Sequence, residues 1–151
     1  MLRLLILAAV LAFVPFLVYS NAAPKRVHGN VIAAPEGDVV IISTAGQKLM
    51  VRLAGIDAPQ MPQPYGMPSR ESLSALALGR DVACIEQTAY RTNGVIAFCS
   101  VDGVDLSSEQ VRRGYAWAYD AYDQLRAVQE EAHAARVGLW QDPHPVPPWR
   151  W

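Results

Sequence analysis

The sequence predicts an α+β fold in which five β-strands form a small barrel and about three helices pack around it. Three observations lead to this prediction: short β-branched segments separated by turn signals, a helical segment between the third and the fourth of them, and two helical segments after the fifth. Five strands with a helix inserted after the third are the pattern of the OB-fold. The composition agrees, because 52% of the 151 residues are hydrophobic and 18% are charged, which is enough to fill one core.

The first three predicted strands precede any helix. Val27–Ala33 ends at a turn rich in Pro, Gly and Asp, and Val39–Thr44 is a continuous β-branched run. A Gly-containing hairpin turn leads to the third strand, Lys48–Ile56, in which apolar and polar residues partly alternate. The following stretch, 57–67, is rich in proline and is predicted to form a loop.

A helix and two further strands follow the loop. The helix is predicted to begin at Pro68, with an acidic residue in its first turn, and to end at Gly79. Val82–Gln87 and Val95–Val101 are the fourth and fifth strands. The Asn-Gly pair between them is a strong hairpin signal.

Two helices and an irregular tail are predicted after the barrel strands. A short helix starts at the capping residue Asp105 and ends near Gly114, and a longer helix spans Tyr122–Arg136. The tail, Asp142–Trp151, is rich in Pro and Trp and is predicted to contain no helix. The large aromatic residues near this end are interpreted as packing residues that pin the tail to the barrel: Trp140, Trp149 and Trp151.

The amino-terminal segment, 1–23, is predicted to be a targeting segment. Arg3 gives it a short positive region, Leu4–Tyr19 is apolar, and small residues follow where a signal peptidase would cut. An uncleaved membrane anchor is the alternative, because the apolar stretch is longer than most signal-peptide cores. Either interpretation predicts that the domain, 24–151, is exported: secreted, periplasmic, or held at a membrane by this segment.

Two cysteines, Cys84 and Cys99, fall in the two neighbouring strands of the predicted Asn-Gly hairpin. Outside the cytoplasm, a disulfide between them is the natural interpretation, and two buried free thiols are the alternative. A zinc site is not indicated, because no third and fourth ligand stand at a suitable spacing.

The charge balance is close to neutral, with 13 Lys and Arg, 14 Asp and Glu, and a formal net charge of −1. A protein that depends on many phosphate contacts is usually basic, so strong nonspecific binding of duplex nucleic acid is disfavoured. A local basic site is compatible with this balance.

Charged residues in and beside the strands are candidates for a functional site. Arg52 lies inside the third predicted strand, and Asp57 follows that strand, directly before a turn fixed by Pro59. Asp38 stands beside the turn that precedes the second strand. If adjacent strands bring Asp38 and Asp57 together, the pair suits a hard cation such as Ca²⁺; the alternative is that each Asp caps its own turn.

Four motifs in order along the chain resemble the staphylococcal-nuclease-like (thermonuclease) family, and the resemblance extends over residues 27–151. The motifs are Arg52–Pro59, Val101–Leu106, Val111–Trp117, and Gly138–Trp140 with the following Pro145–Trp149. This family has an elaborated OB-fold, so the resemblance implies the architecture that the element order predicts. It also implies Ca²⁺-dependent hydrolysis of phosphodiester bonds in single-stranded DNA or RNA.

In this family a Ca²⁺ ion and two Arg side chains hold the scissile phosphate, and a Glu activates the attacking water. The resemblance assigns Asp38 and Asp57 as the two metal carboxylates. It assigns Ala58 as the residue whose backbone carbonyl binds the metal, and Arg52 as the first phosphate-binding Arg.

Two positions depart from the family pattern. Gln60 stands where the family has its catalytic Glu, and Gly94 stands where it has the second Arg. Arg91, three residues before Gly94, is a candidate substitute cation. A glutamine cannot accept a proton at neutral pH, and a positioned general base contributes about 10²–10⁴-fold to a rate.

Two aromatic residues, Trp117 and Tyr119, match positions near the family's nucleotide site. They would stack on a base or, alternatively, pack beside the neighbouring helix. The sequence as a whole predicts an exported thermonuclease-family domain whose hydrolysis of single-stranded nucleic acid is weak or lost. The alternative is a non-catalytic OB-fold module that binds nucleic acid or a protein in the cell envelope.

Overall fold

The barrel is built from five long strands, and three two-residue strands accompany them. The computed structural model describes residues 23–90 and 94–151. Over these residues the strands are β1 Arg26–Glu36, β2 Val39–Thr44, β3 Gln47–Leu53, β4 Ile56–Asp57, β5 Asp81–Tyr90, β6 Gly94–Val101, β7 Val104–Asp105 and β8 Trp117–Ala118. The helices are α1 Gly66–Ala77, α2 Leu106–Arg112 and α3 Asp123–Ala134, with short 3₁₀ helices at Gly138–Gln141 and Pro148–Arg150.

Strand pairing closes the barrel between β3 and β6. Neighbouring strands follow the order β3-β2-β1-β5-β6-β7 and are antiparallel, while β3 also pairs with β6 in parallel. The predicted five-stranded OB-fold barrel with three helices is therefore confirmed. Helix α1 packs against β1, and α2 packs against α3. The core contains branched aliphatic side chains with almost no exposure, among them Val31, Val40, Ile42, Val51 and Leu53.

Two predicted elements are wrong in detail. The predicted strand Lys48–Ile56 is interrupted, because β3 ends at Leu53 and Gly55 turns the chain at a φ of +80° before β4. A side chain at position 55 would also be crowded, since a Cβ would lie 2.6 Å from Leu125 Cδ1. The tail, expected to contain no helix, forms a 3₁₀ turn at Pro148–Arg150; a Pro at the first helical position is tolerated because its missing N–H needs no partner.

The other predicted boundaries differ from the observed ones by a few residues. β1 continues past Ala33 to Glu36, because two irregularities in its pairing with β2 let the turn-forming residues stay in the ladder. β5 continues past Gln87 to Tyr90 along its pairing with β6. Helix α1 begins at Gly66, before the expected Pro68.

The predicted disulfide is present. Cys84 on β5 lies directly opposite Cys99 on β6, and the two sulfur atoms are bonded. Both residues are buried in the core. The bond therefore links two strands that are adjacent in the barrel wall.

Most of the predicted targeting segment lies outside the described residues, which include only its last residue, Ala23. Within residues 23–90 and 94–151, none of the helices has the length and apolar character needed to cross a membrane.

We expect the disulfide to be complete in protein produced in an oxidising compartment. Thiol labelling of unfolded, unreduced protein should then find essentially no reactive cysteine. Replacing both Cys84 and Cys99 with Ser should lower the free energy of unfolding by about 3 kcal/mol, because the crosslink restricts the unfolded chain. Reductant should destabilise the wild type and leave this double variant unchanged, and two labelled thiols in the wild type would contradict the disulfide.

Candidate functional site

A single guanidinium joins the two predicted acidic residues. Arg52 Nη2 lies 2.8 Å from Asp57 Oδ1 and 3.0 Å from Asp38 Oδ2. The three side chains are mostly buried, with exposed fractions of 18% for Arg52, 14% for Asp57 and 2% for Asp38. The structure thus brings together three residues from one turn and two strands and places them in one polar cluster, here called the Arg52 cluster.

Backbone pairing explains why these three residues meet. Asp38 ends the turn between β1 and β2, and the next residue, Val39, pairs with Arg52 across β2 and β3. The backbone N–H of Leu53 donates to the Asp38 carbonyl at 2.8 Å, which fixes the turn against β3. Asp57 reaches the same place because the chain reverses at Gly55 and pairs through β4 with β8.

Burial dominates the electrostatics of Asp38. It raises the pKa of this carboxyl group to about 7, although the Arg52 guanidinium opposes the shift and the Ala58 N–H donates to Oδ2 at 3.4 Å. The other oxygen, Oδ1, is buried and has no hydrogen-bond partner among the described residues. Asp38 therefore has one buried oxygen that no described residue satisfies.

Asp57 is less deeply buried than Asp38, and more hydrogen-bonding side chains surround its carboxylate. Burial raises its pKa, while Arg52 and hydrogen bonds with Tyr119 and Asp38 lower it. The Tyr119 hydroxyl keeps its proton, because burial and the nearby Asp57 raise its own pKa. Tyr119 thus lies beside the Arg52 cluster, where it forms a hydrogen bond with Asp57 and also presents an aromatic ring.

Tyr90 supports the guanidinium from the other side and was not predicted from the sequence. The Arg52 Cζ atom lies 5.8 Å from the centre of the Tyr90 ring, a cation–π distance. Burial alone would lower the pKa of Arg52, but the Asp38 carboxylate, a hydrogen bond with Tyr90 and the Asp57 carboxylate raise it. Arg52 therefore stays charged. No local pattern at the end of a strand marks Tyr90 for this role.

A buried glutamine holds the Asp38 turn. Gln110 on α2 has no exposed surface, and its Nε2 donates to the Gly37 carbonyl at 2.7 Å and to the Ser69 carbonyl at 3.1 Å. The Ser72 hydroxyl donates to Gln110 Oε1 at 2.6 Å. Gly37 is required there, because a Cβ would lie 1.8 Å from the Ser69 hydroxyl oxygen. Gln110 was not predicted from the sequence, although a polar residue four positions after Leu106, on the apolar face of α2, could have indicated this network.

Gln60 is exposed in the loop that follows β4. Its backbone N–H donates to Gln63 Oε1 at 2.9 Å, and Gln63 Nε2 donates to the Pro148 carbonyl at 3.2 Å. One side chain, Gln63, thereby ties the loop of Gln60 to the carboxyl-terminal tail. No local sequence pattern predicts this link, which spans 85 positions.

Gly94 begins β6 in a tight backbone environment. A Cβ at this position would lie 2.5 Å from the Tyr90 carbonyl oxygen and 3.1 Å from that of Met50. A larger residue here would require the backbone of a neighbouring strand to move. The candidate substitute cation, Arg91, lies outside the described residues.

The two predicted aromatic residues occupy different surroundings. Trp117 meets Trp140 edge to face at a centroid distance of 4.5 Å, and its indole Nε1 is buried without a partner in the described part of the chain. Tyr119 is 38% exposed and lies beside Asp57. Of the two, Tyr119 offers the accessible face.

The Arg52 cluster has few oxygen atoms that a hard cation could bind. Calcium takes about six to eight oxygen ligands, and the cluster supplies the unpartnered Asp38 oxygen and the Asp57 carboxylate. Across residues 23–90 and 94–151, no group of three or more Asp, Glu, His or Cys side chains is placed to hold a metal. Water and substrate oxygens would have to complete the coordination.

Comparisons with known proteins agree with this fold. The model of the family described as staphylococcal nuclease homologue matches residues 50–142, more than half of the chain. An uncharacterized endonuclease of Escherichia coli is 30% identical over 146 residues, covering 92% of this chain and 95% of the relative. An uncharacterized endonuclease of Haemophilus influenzae is 32% identical over 140 residues, covering 90% of this chain and 79% of the relative.

A relative with a more specific name has a similar degree of identity. The micrococcal nuclease of Shigella flexneri is 33% identical over 149 residues, covering 89% of this chain and 86% of that protein. The matches therefore extend over nearly whole chains and include the Arg52 cluster. The barrel, the disposition of Arg52 and Asp57, and these relatives lead to one conclusion: this chain belongs to the staphylococcal nuclease family.

Proposed function

We propose that the protein binds a phosphodiester of single-stranded DNA or RNA at the Arg52 cluster and hydrolyses it slowly in the presence of Ca²⁺. The observation that carries this proposal is the charged guanidinium of Arg52, held at 2.8 and 3.0 Å by two carboxylates at the edge of the barrel. A guanidinium fixed in this way presents its remaining N–H groups to a phosphate oxygen. Membership of a nuclease family supports the same substrate class.

Each residue of the site has a separate task in this proposal. Asp38, Asp57 and the backbone carbonyl of Ala58 would hold the calcium ion, which when bound supplies positive charge beside the scissile phosphate. Arg52 binds and orients the phosphate. Gln60 can hydrogen-bond a water molecule through its amide but cannot remove a proton from it, so the attacking water stays a weak nucleophile.

The absence of the family's second Arg should also lower the rate of hydrolysis. A cation aimed at the phosphate in the transition state is worth about 10³-fold or more in phosphoryl transfer. Gly94 supplies no cation, and a longer side chain there would meet the backbone of β5. The proposed enzyme therefore binds its substrate with one Arg and reacts slowly.

The alternative function is a non-catalytic module that binds nucleic acid or a protein in the cell envelope. The replacement of both catalytic groups favours this alternative. Gln60 takes the place of the proton acceptor and Gly94 the place of the second cation, so groups needed for hydrolysis are absent while a binding surface can persist. A cleavage assay on single-stranded DNA with Ca²⁺ or with chelator separates the two functions.

We also propose that the domain is exported. The disulfide between Cys84 and Cys99 supports this localisation, because such bonds persist in oxidising compartments. Residues 1–23 would direct the export as a signal peptide or serve as an anchor in the membrane.

Calcium should stabilise the folded protein through the Arg52 cluster. At a concentration about 100-fold above its dissociation constant, Ca²⁺ should raise the melting temperature by roughly 5 °C or more. Asp57→Asn should abolish the rise, and Asp81→Asn, which changes an exposed carboxylate on another face, should preserve it. A wild-type melting temperature that Ca²⁺ does not change would contradict the proposed metal site.

Asp38 should make stability depend on pH when chelator is present. The folded state keeps the proton of Asp38 up to about pH 7, while the unfolded chain releases it near the ordinary pKa of 3.8. The stabilising contribution is therefore complete below pH 3.8 and decreases as the pH rises to about 7, by on the order of a few kcal/mol. Asp38→Asn should flatten this part of the profile in denaturant titrations, and parallel profiles of the two proteins would contradict the assignment.

Restoring a proton acceptor should accelerate cleavage. Gln60 is exposed, so Gln60→Glu should fold normally and raise the rate on single-stranded DNA by about 10- to 100-fold with Ca²⁺, toward the range of a positioned base. Gln60→Ala is the matched control and should give no increase. A wild-type rate equal to that of the Gln60→Glu variant would show that another group accepts the proton.

A further inference from the structure

The carboxyl-terminal tail folds back onto the edge of the Arg52 cluster. Gln63 Nε2 holds the Pro148 carbonyl at 3.2 Å, at the start of the 3₁₀ turn Pro148–Arg150. Directly after this contact, the Trp149 ring lies 6.2 Å from the Tyr119 ring, tilted by 34°, and 5.9 Å from the Trp117 ring, edge to face. Trp117 and Tyr119 are two residues apart, so an extended chain presents both to the same side.

Exposure distinguishes the three tail tryptophans. Trp140 is 6% exposed, as expected for a residue that pins the tail, but Trp149 is 54% exposed and Trp151 is 64% exposed. Trp149 does pack against the rings of Trp117 and Tyr119, as a residue that pins the tail should, but about half of its own surface stays open. A large aromatic ring held on one side by other rings and open on the other is a surface on which a planar group can stack.

Contacts connect this open ring to the phosphate-binding group. The Tyr119 hydroxyl hydrogen-bonds Asp57, and Asp57 binds Arg52 at 2.8 Å. Trp149 leans on Tyr119 and is followed by Arg150, an exposed cation. Aromatic rings that alternate with positive charge are typical of surfaces that bind single strands, because bases stack on the rings while the cations attract the backbone.

We propose that Trp149 is a base-stacking residue for single-stranded nucleic acid, which makes the tail a part of the substrate site. This inference rests on the proposed function, because it assumes that a phosphate of the same strand lies at Arg52. The tail residue would hold a base next to the bound phosphate, with Tyr119 supporting the indole from behind. Stacking on an aromatic side chain changes affinity by about 5- to 150-fold per base.

Binding of two labelled oligonucleotides tests the proposal. Fluorescence anisotropy would compare a 5′-labelled oligodeoxythymidylate with an abasic strand of the same length, in chelator so that neither is cut. The wild type should bind the thymidylate more tightly. Trp149→Leu, which keeps apolar bulk but removes the aromatic face, should weaken thymidylate binding by about fivefold or more and leave abasic binding unchanged. Trp149→Phe should restore most of the affinity.

The controls separate this inference from the proposed function. Val146→Ala removes another exposed apolar residue of the same tail and should change neither affinity. Arg52→Gln should weaken both strands, because it removes a phosphate contact. Equal thymidylate binding by the wild type and Trp149→Leu would overturn the stacking role. It would also be overturned if the wild type bound both strands equally or bound neither strand. Unchanged binding by Arg52→Gln would instead overturn the proposed phosphate site.

Discussion

The pairing of one guanidinium with two carboxylates is the interaction on which the site depends. Arg52 and Asp38 are withdrawn from water, and burial of a single charge costs several kcal/mol unless an opposite charge compensates it. Removing Arg52 would leave two carboxylates facing each other in a largely dry environment. The turn at Asp38, the reversal at Gly55 and the ring of Tyr90 are all arranged around this one positive group.

The same pairing places a limit on the chemistry. Arg52 already satisfies one oxygen of each carboxylate, so the cluster offers a cation few unpartnered atoms, chiefly Asp38 Oδ1. Burial raises the pKa of Asp38 to about 7, and a proton there competes with metal at neutral pH. Any cation bound here would therefore need most of its oxygen ligands from water or substrate.

The elements that could be predicted from the sequence are those that one local signal determines. The β-branched runs, the Asn-Gly turn and the helix boundaries predicted the barrel, and two cysteines on paired strands predicted the disulfide. The residues that could not be predicted act across long distances in the chain. Tyr90 reaches Arg52 from the end of a strand, and Gln63 bonds a carbonyl 85 positions away, contacts that depend on the closed barrel and the folded tail. The predicted third strand was too long, because the alternating pattern continues past Leu53 while Gly55, with its positive φ, turns the chain.

The proposed function requires that the Arg52 cluster binds a phosphodiester and that the missing proton acceptor slows only the chemical step. Single-turnover cleavage of one single-stranded oligonucleotide with Ca²⁺ yields the dissociation constant and the rate constant of this step together. We expect wild type and Gln60→Glu to share a dissociation constant within about threefold, while their rate constants differ by tenfold or more. Equal rate constants, or a difference confined to the dissociation constant, would contradict it.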